Sequence, residues 1–169
     1  MFLTRLFARK PDTARALYEA IVAAARRVVF YETWDVPDTV QGRFDMISLH
    51  LFLVLDRLKG EGAAGEDFRQ RLTDGFFLDM DRSLREMGVG DISVGKKVRK
   101  MAESFYGRVR AYDAALAKGE GLGDALRRNL FPDSPQQDVS ALVDWVGAAR
   151  AALQQQETAR LMAGEVTFP

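Results

Sequence analysis

The sequence predicts an all-α protein, a single compact domain of about six helices built around one central two-sided apolar helix. Three observations carry that expectation. Apolar residues recur at three-and-four spacing in one segment after another, beginning with Leu17, Ala20, Ile21, Ala24 and Val28. The one stretch with strand propensity, Val28-Val29-Phe30-Tyr31-Glu32-Thr33-Trp34, has no second strand to pair with, and an isolated strand leaves its backbone groups unsatisfied. At 169 residues the chain has single-domain length. A core of that size buries roughly 70% of the surface the unfolded chain exposes.

Bulk composition narrows the function classes. With 24 basic and 24 acidic residues the net charge is zero, so any electrostatic role depends on local segregation. The absence of cysteine excludes thiol nucleophiles, disulfides, zinc fingers and iron–sulfur ligation. No apolar run approaches the ~18 residues that would read as a transmembrane helix. Residues 1–12 are basic and apolar without the pattern of a signal peptide. They read either as a weak contact with acidic lipid or as a terminus docked on the body.

Taken in order, Pro11-Asp12-Thr13 is a helix start signal, and a first helix is expected from residue 13 to about 30. The aromatic stretch that follows reads as an extended loop, with Trp34 packed back on the body. Val36-Pro37-Asp38 opens the second helix, with Asp38 placed to cap and Gln41 to reach back. From 44 to 58 this helix is apolar on two sides. Phe44, Ile47, Leu51, Val54, Leu55 and Leu58 form a broad stripe, while Met46, Leu49 and Leu53 form a second patch. Such a helix is covered on both faces, so it is the centre of the fold or one side is a partner site.

Residues 59–65 read as a flexible glycine-rich loop before a third helix over 66–87. In that helix Phe68, Leu72, Phe76 and Met80 recur at every fourth position, and Gly88 sits where a left-handed C-cap falls. Ser93 is placed to cap the fourth helix. Its stripe is Val98, Met101, Ala102, Phe105, Val109, Tyr112 and Leu116, with Lys96, Arg99, Lys100 and Arg110 opposite and Lys97 and Arg108 on the flanks. A short helix over 124–130 follows, then a last helix from the Ser134-Pro135-Gln136-Gln137 signal to about 160. The organisation expected is one helical domain over 13–160, preceded by the segment 1–12 and followed by a flexible tail over 161–169.

The residues offer no nucleophile–base pair, nucleotide loop or metal set, so an enzyme is not expected. His50 is the single histidine, lying between the two apolar patches one helical repeat before Arg57. It reads as an interaction or proton-sensitive position, or as a partly buried histidine satisfied by its neighbours. Asp74, Asp79, Asp81 and Glu86 could serve acid–base chemistry or a hard cation. The interleaved Arg82 and Arg85 favour a salt-bridged, solvated face. Lys96, Lys97, Arg99 and Lys100 cluster near a helix N-terminus, an unfavourable place for cations that points to an external anion. RNA phosphate, lipid headgroups and an acidic protein surface are the alternatives to an ordinary exposed basic face.

In their order, Gly42-Arg43-Phe44-Asp45-Met46-Ile47-Ser48-Leu49-His50, Phe77-Leu78-Asp79-Met80-Asp81-Arg82-Ser83-Leu84-Arg85-Glu86-Met87-Gly88, Gly95-Lys96-Lys97-Val98 and Phe105-Tyr106-Gly107-Arg108 resemble the ubiquinol–cytochrome c chaperone family. The resemblance is strong over residues 25–116 and looser beyond. It implies a non-enzymatic assembly factor for the cytochrome bc1 complex, with no cofactor, no DNA partner and no small-molecule substrate. Members resembling this chain bind newly made cytochrome b, work with a small partner protein and associate with ribosomes near the inner membrane. Without a mitochondrial presequence or an N-terminal membrane segment, the chain is expected to be a bacterial member. Its expected place is cytoplasmic, peripheral on the inner membrane.

The expected client surface is the Met46, Leu49 and Leu53 patch, or a groove beside His50 that extends to Arg57. Lys96, Lys97, Arg99, Lys100 and Arg108 are expected to face ribosomal RNA, anionic lipid or acidic client segments. The competing expectation is a helical ligand-binding protein that holds a quinone, haem or lipid between helices, with His50 as its only imidazole ligand.

Overall fold

The computed structural model describes residues 12–169. It contains eight helices: α1 (Thr13–Ala25), α2 (Val28–Glu32), α3 (Val40–Arg57), α4 (Gly62–Glu86), α5 (Asp91–Lys118), α6 (Leu122–Leu130), α7 (Ser140–Gln154) and α8 (Thr158–Met162). The six expected helices are the six longer ones, and no strand occurs among the described residues. The strand-like stretch instead forms the five-residue α2, set off from α1 by an extended backbone at Arg27. Trp34 packs edge-on against Phe30 at 5.2 Å.

Helix α3 is the centre of the fold. It packs against α1, α5, α6 and α7, and every residue from Phe44 to Leu55 is buried. The open choice over its second face is thereby decided. Met46, Leu49 and Leu53 lie in the core, so the accessible apolar patch expected there does not exist. Each large side chain buried this way stabilises the fold by ~2 kcal/mol.

Several expected boundaries move, each for a local reason. Thr39, not Asp38, caps α3 by accepting from the Gly42 N–H at 3.0 Å. Asp38 accepts from Arg43 instead, and Gln41 donates to Asp45 rather than reaching back. Gly42 is needed here, because a Cβ would sit 1.9 Å from the Pro37 carbonyl oxygen. Helix α4 begins four residues earlier than expected, since Ala63 and Ala64 are strong helix formers that extend it through the glycines. Its end follows expectation. Gly88 has φ +82°, its N–H reaches Arg85 O at 2.9 Å, and the Val89 N–H reaches Leu84 O at 3.0 Å. That is a Schellman stop.

Helix α5 starts at Asp91 behind Gly90, which leaves Ser93 inside the first turn rather than at the cap. The helix expected last, α7, starts at Ser140, whose N–H bonds Asp138 Oδ1 at 2.9 Å, and the short α8 follows it; the Ser134-Pro135 segment is a turn. The end of the chain, expected to be loose, lies on the body. Gln156 and Thr167 exchange two hydrogen bonds, and the Phe168 ring sits 4.9 Å from His50 and stacks on Trp145 at 6.2 Å. The expectations for residues 1–11 fall outside the described residues.

Candidate functional site

The candidate residues divide into a buried group and an exposed group. His50 is fully buried. Its Nδ1 lies 2.8 Å from Met46 O, which makes Nδ1–H the donor and leaves Nε2 unprotonated without a polar partner. Phe30 at 5.3 Å, Trp145 at 4.7 Å and Phe168 at 4.9 Å crowd the imidazole. Burial pushes its pKa down to about 4, so the ring is neutral at physiological pH. The buried, satisfied reading therefore holds in part: one ring nitrogen is paired and the other is not. With aromatic rings on three sides, the imidazole has no room for a haem or quinone as it stands.

Arg57 is committed to the fold. It donates to Leu153 O at 3.0 Å, Gln156 O at 2.9 Å and Thr158 Oγ1 at 3.0 Å, and pairs with Glu61 at 2.6 Å. These bonds satisfy carbonyls at the end of α7 and tie it to α3. Arg108 is similarly occupied. Its guanidinium pairs with Asp45 at 2.7 Å, both side chains being nearly buried, and lies 5.6 Å over the Phe44 ring. Gln41 supplies a second donor to Asp45. Burial nevertheless raises the Asp45 carboxyl to about 6 against the pull of Arg108. Tyr112, on the same helix as Arg108, is pushed up to about 12 by burial. Neither Arg57 nor Arg108 presents its charge to a partner, so both leave the expected interaction surface.

The exposed group lies on α5. Lys96, Lys97, Arg99 and Lys100 all face solvent. Arg99 pairs with Glu103 at 3.2 Å, while the three lysines have no ion-pair partner among the described residues. Lys96 is the sixth residue of a helix that begins at Asp91. It lies beyond the first turn where the helix dipole acts, so the supposed electrostatic penalty does not apply. What marks the three lysines is exposure without an ion-pair partner among the described residues. Of the four carboxylates on α4 expected to form a salt-bridged face, only Asp81 is ion-paired among the described residues. Asp79 accepts from Tyr18 at 2.9 Å, Asp74 accepts from Gln70 at 2.8 Å, and Arg85 joins Asp81 on α4 to Asp91 on α5.

Sequence reasoning missed the apolar side chains beside this basic run. Ile92 is 91% exposed and Met87 53% at the α4–α5 corner, with Leu78 and Tyr106 exposed further along the same two helices. The glycine corner around Ile92 was the only signal. None of the described helices is long and apolar enough to cross a membrane.

Fold and site together define an all-helical domain with a polar pair buried at its centre and a basic, apolar-tipped helical hairpin on its outside. The family model for ubiquinol-cytochrome C chaperone matches residues 32–168, and the chain belongs to that family. The expected resemblance and the all-α class are both borne out. Ubiquinol-cytochrome-c reductase complex assembly factor 1 of Xenopus laevis is 30% identical over 121 residues, 69% of this chain and 60% of that protein. The human protein of that name is 29% identical over 119 residues, 70% of this chain and 40% of the other. The chain thus spans about half the length of these relatives. A crystal structure of the Cbp3 homolog from Brucella abortus superposes with a TM-score of 0.83 at 43% identity, over 93% of this chain and 88% of that one.

Proposed function

We propose that the protein is a non-enzymatic assembly chaperone of the cytochrome bc1 complex, with newly made cytochrome b as its client. Its place is peripheral, at the cytoplasmic face of the inner membrane. The observation that carries this reading is the family match across residues 32–168. Relatives that take their names from ubiquinol-cytochrome c reductase assembly support it.

The structure supports a particular division of labour. A client of this kind exposes apolar helices until its partner subunits cover them, and holding it requires accessible apolar surface. Helix α3 cannot supply that surface. Of six exposed large apolar side chains among the described residues, four lie on α4, on α5 or at the turn between them: Leu78, Met87, Ile92 and Tyr106. Leu78 on α4 and Tyr106 on α5, nearer the body, are the client-facing side chains, while Met87 and Ile92 lie beyond them at the turn.

The test is crosslinking of a tagged full-length copy in native membranes, followed by purification and mass spectrometry. Cytochrome b is expected to be enriched over other abundant membrane proteins, with crosslinks on α4 and α5. Recovery of other partners without cytochrome b would overturn the client assignment.

A further inference from the structure

We propose that the α4–α5 corner docks on the interface of an anionic lipid bilayer, with Met87 and Ile92 as apolar anchors and Lys96, Lys97 and Lys100 as headgroup contacts. This deepens the functional reading by naming the surface that keeps the protein at a membrane.

The corner stands clear of the body. Between residues 81 and 104 the only buried side chains are Leu84 and Val94, and the continuous core ends at Met80 on one helix and Phe105 on the other. At 1.5 Å per residue, roughly 10 Å of α4 and 20 Å of α5 project beyond it. The projection is nonetheless built to hold its shape. The Schellman bonds at Gly88 and Val89 fix the turn, and Arg85 bridges Asp81 and Asp91 across it. The same bridge occupies two of the three acidic residues there, leaving Glu86 as the third.

Charge and apolarity are segregated together at this place. Residues 81–100 carry six basic and three acidic side chains, a local +3 in a chain whose total is zero. Ile92, 91% exposed at the apex, is an aliphatic side chain that gains by leaving water for an apolar phase. Lysines near an anionic surface are drawn to its headgroups, and an isoleucine or methionine gains by leaving water. Binding at a membrane surface strengthens with both contributions.

Lipid fits better than the other anions. A phosphate backbone has no use for two apolar side chains at a corner.

The experiment is flotation of the purified full chain with vesicles of phosphatidylcholine alone and of phosphatidylcholine mixed with phosphatidylglycerol. No client is present, so its outcome is separable from that of the cytochrome b assignment. The protein is expected to float with the mixed vesicles only, and less so as salt rises. The variant carrying Lys96→Glu, Lys97→Glu and Lys100→Glu is expected to lose binding. The variant carrying Met87→Ser and Ile92→Ser is expected to bind at least about tenfold more weakly. Circular dichroism melting of both variants checks that each is folded. Wild-type protein that stays unbound overturns the proposal, as do folded variants that float like wild type, since the contact would then lie elsewhere. Loss in the lysine variant with full binding in the serine variant also overturns it. That pattern describes a general polyanion site, such as one for RNA.

Discussion

Helix α3 and the α4–α5 corner invert the usual placement of residue types. The helix at the centre buries a carboxylate, an imidazole and a serine. The corner at the edge exposes an isoleucine and a methionine. In α3 Asp45 is held by Arg108 from α5, His50 by a carbonyl of its own helix, and Ser48 by close packing alone, so their removal is a matter of stability. At the corner the apolar groups touch almost nothing, so their removal is a matter of association. Burial separates the two roles where residue type does not.

The largest expected effect lies at the centre. Asp45→Ala leaves the Arg108 guanidinium buried without its carboxylate, and breaking such a pair costs about 3–5 kcal/mol. Urea denaturation should show that loss, and adding Arg108→Met to the same chain should recover part of it. An Asp45→Ala protein as stable as wild type would mean that the pair is open to water.

Two titrations at the centre oppose each other. His50 is held neutral with its pKa lowered from 6.5 to about 4. Between those values the unfolded chain binds a proton that the native one does not, so this share of stability is present above 6.5 and lost as pH falls to 4. Asp45 is raised from 3.8 to about 6. There the native chain keeps a proton that the unfolded one releases, so its share is present below 3.8 and lost as pH rises through 6. Each amounts to on the order of 3 kcal/mol. His50→Leu should therefore flatten the acid-side loss, and Asp45→Asn should remove the opposing slope, in denaturant titrations between about pH 4 and 7.

A smaller effect is expected at the turn. Gly88→Ala forces a left-handed backbone on a residue with a Cβ, at a cost of roughly 1–2 kcal/mol. Open space surrounds that position, so thermal melting should shift without loss of helix content. The smallest effect on folding belongs to the corner itself. Ile92→Ser and the lysine reversals are expected to change unfolding free energy by less than about 0.5 kcal/mol. A larger loss would show that the corner is part of the core after all.

The six longer helices were legible because their apolar periodicity is local to each. The two-sided character of α3 was legible too, but not what covers it. That depends on four other helices closing around it. Arg57 and Arg108 read as free surface cations because their partners lie elsewhere in the chain: Leu153 for one, Asp45 for the other. The start of α7 was misplaced since proline after serine suits a turn as well as a first helical residue. Ile92 was passed over because a lone isoleucine is ordinarily core, and only the geometry of the corner shows it has nothing to pack against.

The most direct measurement replaces the chromosomal gene with one carrying Lys96→Glu, Lys97→Glu, Lys100→Glu and Ile92→Ser. Assembled bc1 complex is then read from haem b absorbance and ubiquinol–cytochrome c reductase activity in membranes, against wild-type and deletion strains at equal protein abundance. If the corner is the working surface, bc1 content should fall toward the deletion level while the variant remains folded. A full complement of bc1 complex in that strain would contradict it.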